Sequence, residues 1–219
     1  MTIGTVAVQC VLERMNQTTP IVPEERAARE HFARRGYAVL PALTAPALTE
    51  FLWTYVHTKF ASGLFDWGDK LVPRTPSSYG DAAAEGLLAH VQDRVEAVAG
   101  RALLPTYSYL RIYKHGDVLL SHRDRPACEF SLSLNIGQVP GEPWPIYVES
   151  PEGKAQVKLG PGDALLYRGI DLFHWRERYE GRQLVQFFLH YVDADGPHAA
   201  EKYDGRPGLM IAKSVVRMS

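Results

Sequence analysis

His122, Asp124 and His174 are the residues whose types and spacing point most directly to chemistry. In His122-Arg-Asp124 an imidazole and a carboxylate stand two positions apart, so on a strand, or a strand entering a turn, both project from one face. A second imidazole, His174, follows 52 residues later. Two imidazoles and one carboxylate are the ligand set of mononuclear ferrous sites that keep open positions. Three donors on one face of an octahedron leave room for a bidentate co-substrate and dioxygen. The donors share one negative charge, so a divalent ion among them keeps a single positive charge, which suits an anionic 2-oxo acid. No thiolate accompanies them to draw the site toward structural zinc. Taken alone, His-x-Asp is a pattern any strand can carry, and a single histidine is commonly a surface or hydrogen-bonded core residue. The surrounding sequence has to decide.

Near residue 100 the periodicity changes from helix-like to strand-like. Upstream, Pro23 opens a helix that runs through EERAAREHFARR to Gly36. Thr44 reads as the N-cap of a second, with Leu48, Phe51, Leu52 and Tyr55 at helical spacing. Asp81 reads as the cap of a third that reaches Val98, with Leu87, Leu88, Val91, Val95 and Val98 on one face. Between the second and third, LFDWGDKLVPRTPSSYG is rich in Pro, Gly and Ser and reads as a long loop of the kind that serves as a lid. Downstream, alternation from Tyr107 to Tyr113 puts Tyr107, Tyr109, Arg111 and Tyr113 on one face and Leu110 and Ile112 on the other. Phe130 to Ile136 does the same with Ser131, Ser133 and Asn135. Further strands are expected at 156–159, 164–167, 172–176 and 182–191, with a tight turn at Pro161-Gly162. Short strands at this spacing indicate an antiparallel barrel or jelly roll with helices outside it, an α+β fold that is mainly β.

Tyr113-Lys-His-Gly116 precedes His122, giving Y-x2-G-x5-H-x-D, and Pro161-Gly-Asp-Ala-Leu-Leu-Tyr167, His174 and Gly181-Arg182 follow in order. In these elements, over roughly residues 105 to 192, the chain resembles the Fe(II)/2-oxoglutarate-dependent oxygenases, in the style of the prolyl-hydroxylase-like branch. The resemblance implies a double-stranded β-helix holding Fe(II) on His122, Asp124 and His174. It also implies that 2-oxoglutarate is converted to succinate and CO2 as dioxygen hydroxylates a substrate. By the same resemblance Arg182 matches the basic anchor for the co-substrate carboxylate, a role that suits a planar guanidinium. Its spacing from His174 is slightly short, and Arg176 and Arg178, the competitors, lie before the turn and read as solvated. Tyr113 matches a tyrosine that assists the co-substrate, or else packs in the core. Ser133 matches a position lining the barrel. The carboxylate of Asp124 implies hydroxylation, desaturation or ring chemistry rather than halogenation.

Arg111 shares the inward phase of Tyr109 and Tyr113 and needs an anion there. A substrate carboxylate is one candidate, and Glu129 or another protein acid is the other. Trp67, Trp144 and Trp175 are either closing groups over the substrate or simple packing anchors.

At 219 residues one domain is expected, with 1–100 mostly helical, 101–195 the barrel and 196–219 a tail. The hydrophobic fraction is 46%, the charged fraction 22% and the net charge −1, which describes a soluble globular protein without a basic stripe for nucleic acid. No run reaches the about 20 apolar residues of a membrane helix, and the N-terminus lacks a basic region before its short apolar run. Cys10 and Cys128 read as free thiols, and the expected compartment is the cytoplasm. A small polar substrate, such as an amino acid or a natural-product intermediate, is the leading expectation. A protein prolyl side chain, or a cupin-like barrel that binds without turnover, are the alternatives.

Overall fold

The computed structural model describes residues 23–139 and 142–210, so Cys10, the N-terminal apolar run and the end of the expected tail lie outside the described residues. Helix α1 spans Pro23–Arg35, with Glu24 and Glu25 in its first turn and Arg34 and Arg35 in its last, matching the helix dipole at both ends. Gly36 ends it at φ +76°, donating its N–H to the Phe32 carbonyl. Helix α2 spans Pro46–Ala61, but its N-cap is Ala45 and no side chain caps it. Thr44, the expected cap, instead turns its hydroxyl onto that of Thr49 at 2.8 Å. Pro46 occupies the first turn, which moves the boundary one residue past the threonine.

Asp81 caps as expected, accepting from the N–H groups of Ala83 at 3.0 Å and Ala84 at 3.1 Å. The helix it starts is two helices, α3 (Ala82–His90) and α4 (Gln92–Ala99), broken at Val91. The break lets Leu87 and Leu88 before it and Val95 and Val98 after it all stay buried.

The strands form two antiparallel sheets. The larger has the order β1-β9-β6-β11-β4-β3-β2 and the smaller β5-β10-β7-β8. Their ranges are β1 Tyr37–Leu40, β2 Asp66–Trp67, β3 Pro76–Tyr79, β4 Leu103–Lys114, β5 Leu119–His122, β6 Phe130–Val139, β7 Ile146–Ser150, β8 Gly153–Val157, β9 Ala164–Arg168, β10 Phe173–Arg176 and β11 Gln183–Asp193. Strands β2 and β3 correct the expected loop at 64–80. Without apolar periodicity of its own, this segment pairs by register, Ser77 with Arg111 and Tyr79 with Tyr109. Gly162 takes the positive φ expected of its turn, +88°.

The helices cover the outer face of the larger sheet, where Leu110, Ile112, Leu132, Leu134, Phe187 and Leu189 join Phe32, Leu88 and Val95 in one cluster. Its inner face carries the polar set. Gln186 lies opposite both Arg111 and Asn135, Phe188 opposite both Tyr109 and Ser133, and His190 opposite Ser131. The described part of the expected tail packs back on β4. Arg206 there is buried, bonding Glu85 at 2.6 Å and the Thr106 carbonyl at 3.0 Å. Among the described residues no helix is long and apolar enough to cross a membrane.

Candidate metal centre and cavity

His122 ends β5, and His174 lies opposite it on β10. Asp124 follows β5, held by a hydrogen bond from its N–H to the Gly169 carbonyl at 2.8 Å. The pairing closes the 52-residue gap in sequence. Nδ1 of His122 lies 2.8 Å from the Leu120 carbonyl and Nδ1 of His174 lies 3.1 Å from the Leu172 carbonyl. A carbonyl only accepts, so both Nδ1 atoms carry hydrogen and both Nε2 atoms are turned to the carboxylate. They lie 3.6 and 3.5 Å from Asp124 Oδ1, and donor atoms of the three residues lie within 4.8 Å of one another. Two imidazole lone pairs facing a carboxylate need a proton or a metal cation between them. This donor set fits a divalent ion.

The electrostatics agree. Burial alone would raise the Asp124 carboxyl, but His122 and His174 outweigh it and hold it well below the usual carboxylate range. Burial alone would lower His122, and Asp124 with the Leu120 carbonyl raises it instead.

Three further residues fix the carboxylate. The Ser131 hydroxyl donates to Asp124 Oδ2 at 2.8 Å and accepts from Nδ1 of His190 at 2.9 Å, which leaves Oδ1 for an ion. Burial pushes His190 down to about 4, so it stays neutral. Gly169 lies so close that an added Cβ would stand 2.4 Å from Asp124 Oδ2 and 2.3 Å from the Cys128 carbonyl. Strand alternation puts Ser131 on one side with Ser133 and Asn135, but its role, His190 and Gly169 have no local signal in the sequence. Cys128 and His190 also lie within ligand reach of Asp124. Burial pushes the Cys128 thiol up, and its sulfur lies 3.0 Å from the Tyr107 hydroxyl.

A cavity of about 440 Å³ opens onto the three donors, walled by Tyr107, Tyr109, Leu119, Ile146, Tyr167 and Phe188. Arg111 lines it, buried, and pairs with Asp69 of the 64–80 segment. Glu129, the acid named from sequence, instead accepts the Asp193 N–H at 2.9 Å. Asp69 also accepts the Tyr109 hydroxyl and the Leu71 and Val72 N–H groups, each at 2.8 Å. Its pairing with Arg111 crosses 42 positions and has no local signal. Trp67, Trp144 and Trp175 do not line the cavity. Trp144 packs on Tyr113, Trp175 stacks on Tyr147, and Trp67 is exposed.

No protein-family model and no curated protein matches the sequence. Solved structures do. The non-haem α-ketoglutarate-dependent epimerase SnoN of nogalamycin biosynthesis is 14% identical, covers 78% of this chain and 81% of its own, and superposes with a TM-score of 0.66. A prolyl-4-hydroxylase from Pseudomonas putida is 13% identical over 77% of this chain and 98% of its own, TM-score 0.64. HygX from Streptomyces hygroscopicus, determined with nickel and 2-oxoglutarate bound, is 16% identical over 78% of this chain and 87% of its own, TM-score 0.59. The fold is that of the non-haem iron, 2-oxoglutarate-dependent oxygenases.

Within this fold the basic residues are arranged differently from the sequence expectation. Arg182 is exposed, in the turn before β11, with its N–H on the Val139 carbonyl. Tyr113, Trp144, Tyr179 and Leu184 form a buried cluster at that end. Arg176, expected to be solvated, is one of the largest fully buried side chains among the described residues. It shares the inward face of β10 with His174, donating to the Trp144 carbonyl and, at 3.0 Å, to Gln186 Oε1. Among the described residues no carboxylate pairs with it, and burial pushes it down to about 10. Its Nε, Gln186 Nε2, Asn135 Oδ1 and Ser133 Oγ are all buried with no protein partner. Tyr113 is buried, its hydroxyl accepting from Arg111 at 3.0 Å.

Proposed function

We propose that the chain is an Fe(II)/2-oxoglutarate-dependent dioxygenase that hydroxylates a small polar molecule, with succinate and CO2 as co-products. One observation carries this reading: His122, Asp124 and His174 converge with both imidazoles locked by backbone carbonyls and one carboxylate oxygen left open. The orders β9-β6-β11-β4 and β5-β10-β7-β8 support a double-stranded β-helix within one oxygenase domain. The fold neighbours support the metal and co-substrate, HygX having been determined with nickel and 2-oxoglutarate.

In this reading His122, Asp124 and His174 hold the iron. Bound there, it supplies the redox chemistry that reduces dioxygen, turns 2-oxoglutarate into succinate and CO2, and delivers oxygen to a substrate C–H bond. The far carboxylate of 2-oxoglutarate is held by Arg176 in place of Arg182. A buried guanidinium without an acid is costly unless an anion completes it, and unpartnered polar atoms of Gln186, Asn135 and Ser133 lie among the inward-facing residues nearby. Tyr113, beside Trp144, supports the same end. The Ser131 and His190 pair keeps Asp124 oriented, and the aromatic walls exclude water from the reacting end. A cavity of about 440 Å³ roofed by the Asp69 segment supports a free small molecule over a polypeptide side chain.

The test is aerobic incubation with Fe(II), ascorbate, 2-oxoglutarate and a panel of small organic acids, with succinate measured by mass spectrometry. Iron-dependent succinate that disappears in His174→Ala is expected. No succinate from any combination would leave a ligand-binding barrel without turnover.

A further inference from the structure

The charged side chains around the cavity do not balance. Six line it: the acids Asp69 and Asp124, and the cations Lys70, Arg111, Arg123 and Arg125. Both acids are committed. Asp69 accepts from Arg111, Tyr109 and two backbone N–H groups, and Asp124 belongs to the metal centre with Ser131 on its second oxygen. Two cations are committed as well, Arg111 to Asp69 and Arg125 to Asp204 at 2.7 Å. Lys70 and Arg123 remain. Arg123 lies over the Phe173 ring at 4.3 Å, and among the described residues no acid forms an ion pair with either. Both are exposed, Lys70 in the segment beside the cavity and Arg123 on the side opposite His122 and Asp124, from where their charge acts through the field on what enters. A divalent ion, Asp124, a dicarboxylate co-substrate and Arg176 together sum to zero charge and leave this surplus standing.

We infer that the substrate is an organic anion, a carboxylate or phosphate ester on an apolar body, with no free ammonium group. Lys70 meets the anion, Arg123 adds its field from the outer side of the mouth beside Phe173, and Tyr107, Tyr109 and Phe188 meet the body. The lining offers an ammonium no uncommitted carboxylate, so a free amino acid would bring a charge that the cavity cannot pair. A masked amine, as in an N-acylated or deaminated acid, removes that cost. The inference rests on the oxygenase reading for turnover but not for binding.

Binding is therefore the test. The probes share one phenyl body: 3-phenylpropanoate, phenethyl phosphate, 3-phenylpropanamide, phenylalanine and phenethylammonium. Each is titrated calorimetrically into the full chain in chelator, so that no metal ion can act as the anchor. At low salt at least one anion is expected to bind roughly fivefold tighter than the amide, the effect of one exposed ion pair and the field of a second cation. The better of the two identifies the anionic group. The preference should shrink with added salt and vanish in the Lys70→Gln/Arg123→Gln double variant. The inference is overturned by an amide that binds as tightly as the anions, by tighter binding of phenylalanine or phenethylammonium, by a preference that survives in the double variant, or by no anion binding at millimolar concentration. Anion binding without succinate release under the earlier conditions would keep this inference and remove the oxygenase reading. Succinate release without anion preference would do the reverse.

Discussion

The Cα of Gly169 stands against the carboxylate of Asp124: a methyl group added there would lie 2.4 Å from Oδ2, while the Gly169 carbonyl receives the Asp124 N–H at 2.8 Å. One residue thus fixes the backbone of a ligand and leaves space for its side chain. Gly169→Ala should keep the fold by circular dichroism and lower divalent-metal affinity by about ten- to a hundredfold, the range for disturbing residues that orient metal ligands. A competitive titration with Mn(II) measures it, and unchanged affinity would remove Gly169 from the site.

Ser131→Ala tests the other side of the same carboxylate. It removes the hydroxyl that donates to Oδ2 at 2.8 Å and leaves His190 Nδ1 without its acceptor. Metal affinity should fall by about tenfold or more. Ser133→Ala, one rung along and free of any protein partner, should leave metal affinity unchanged in the same titration.

Arg176 separates stability from function. Its charge is buried without an acid and is disfavoured by burial, so Arg176→Met should leave thermal stability unchanged or raise it. The same change should weaken 2-oxoglutarate binding by about tenfold to a hundredfold, the loss of charge-assisted hydrogen bonds. Arg182→Ala should alter neither. Titration of the metal-loaded protein with 2-oxoglutarate under anaerobic conditions distinguishes them, and weakened binding in Arg182→Ala would restore the original expectation.

Asp81 gives a pH dependence. Burial alone would raise its carboxyl, but Lys59 at 2.5 Å, Tyr55 at 2.7 Å and the Ala84 N–H together hold it below its ordinary value. A carboxyl lowered on folding stabilises the protein above its unfolded value of about 3.9, and that contribution is lost as pH falls through the folded value. Asp81→Ala should therefore cost about 2 kcal/mol near neutral pH, from the cap and the buried pair together. The gap to wild type in urea melts should close below pH of about 4. A gap that persists in acid would assign the loss to packing.

Strand alternation made much of this molecule readable. It put Tyr109, Arg111 and Tyr113 on one face and Leu110 and Ile112 on the other, and it paired Ser131 with Ser133 on the inner side. His122 and Asp124 were legible because two residues apart on a strand is a local relation. Arg176 and Arg182 were not, because β10 has only four residues and its end could not be told from the turn. The Asp69–Arg111 pair depends on a segment that docks against β4 through Pro76–Tyr79, a pairing with no periodic signal in the sequence. Gly169 lies in Arg-Gly-Ile, which has no turn signature, so its close approach to Asp124 exists only in three dimensions.

The most direct measurement is spectroscopic. Fe(II) and then 2-oxoglutarate are added to the metal-free protein without oxygen, and the visible charge-transfer absorption of a ferrous 2-oxo-acid chelate is followed. The band should appear and saturate at one iron per chain, and it should be lost in His122→Ala and His174→Ala. A band that never appears at saturating ligand, or one that persists without either histidine, would contradict a shared iron site on these three side chains.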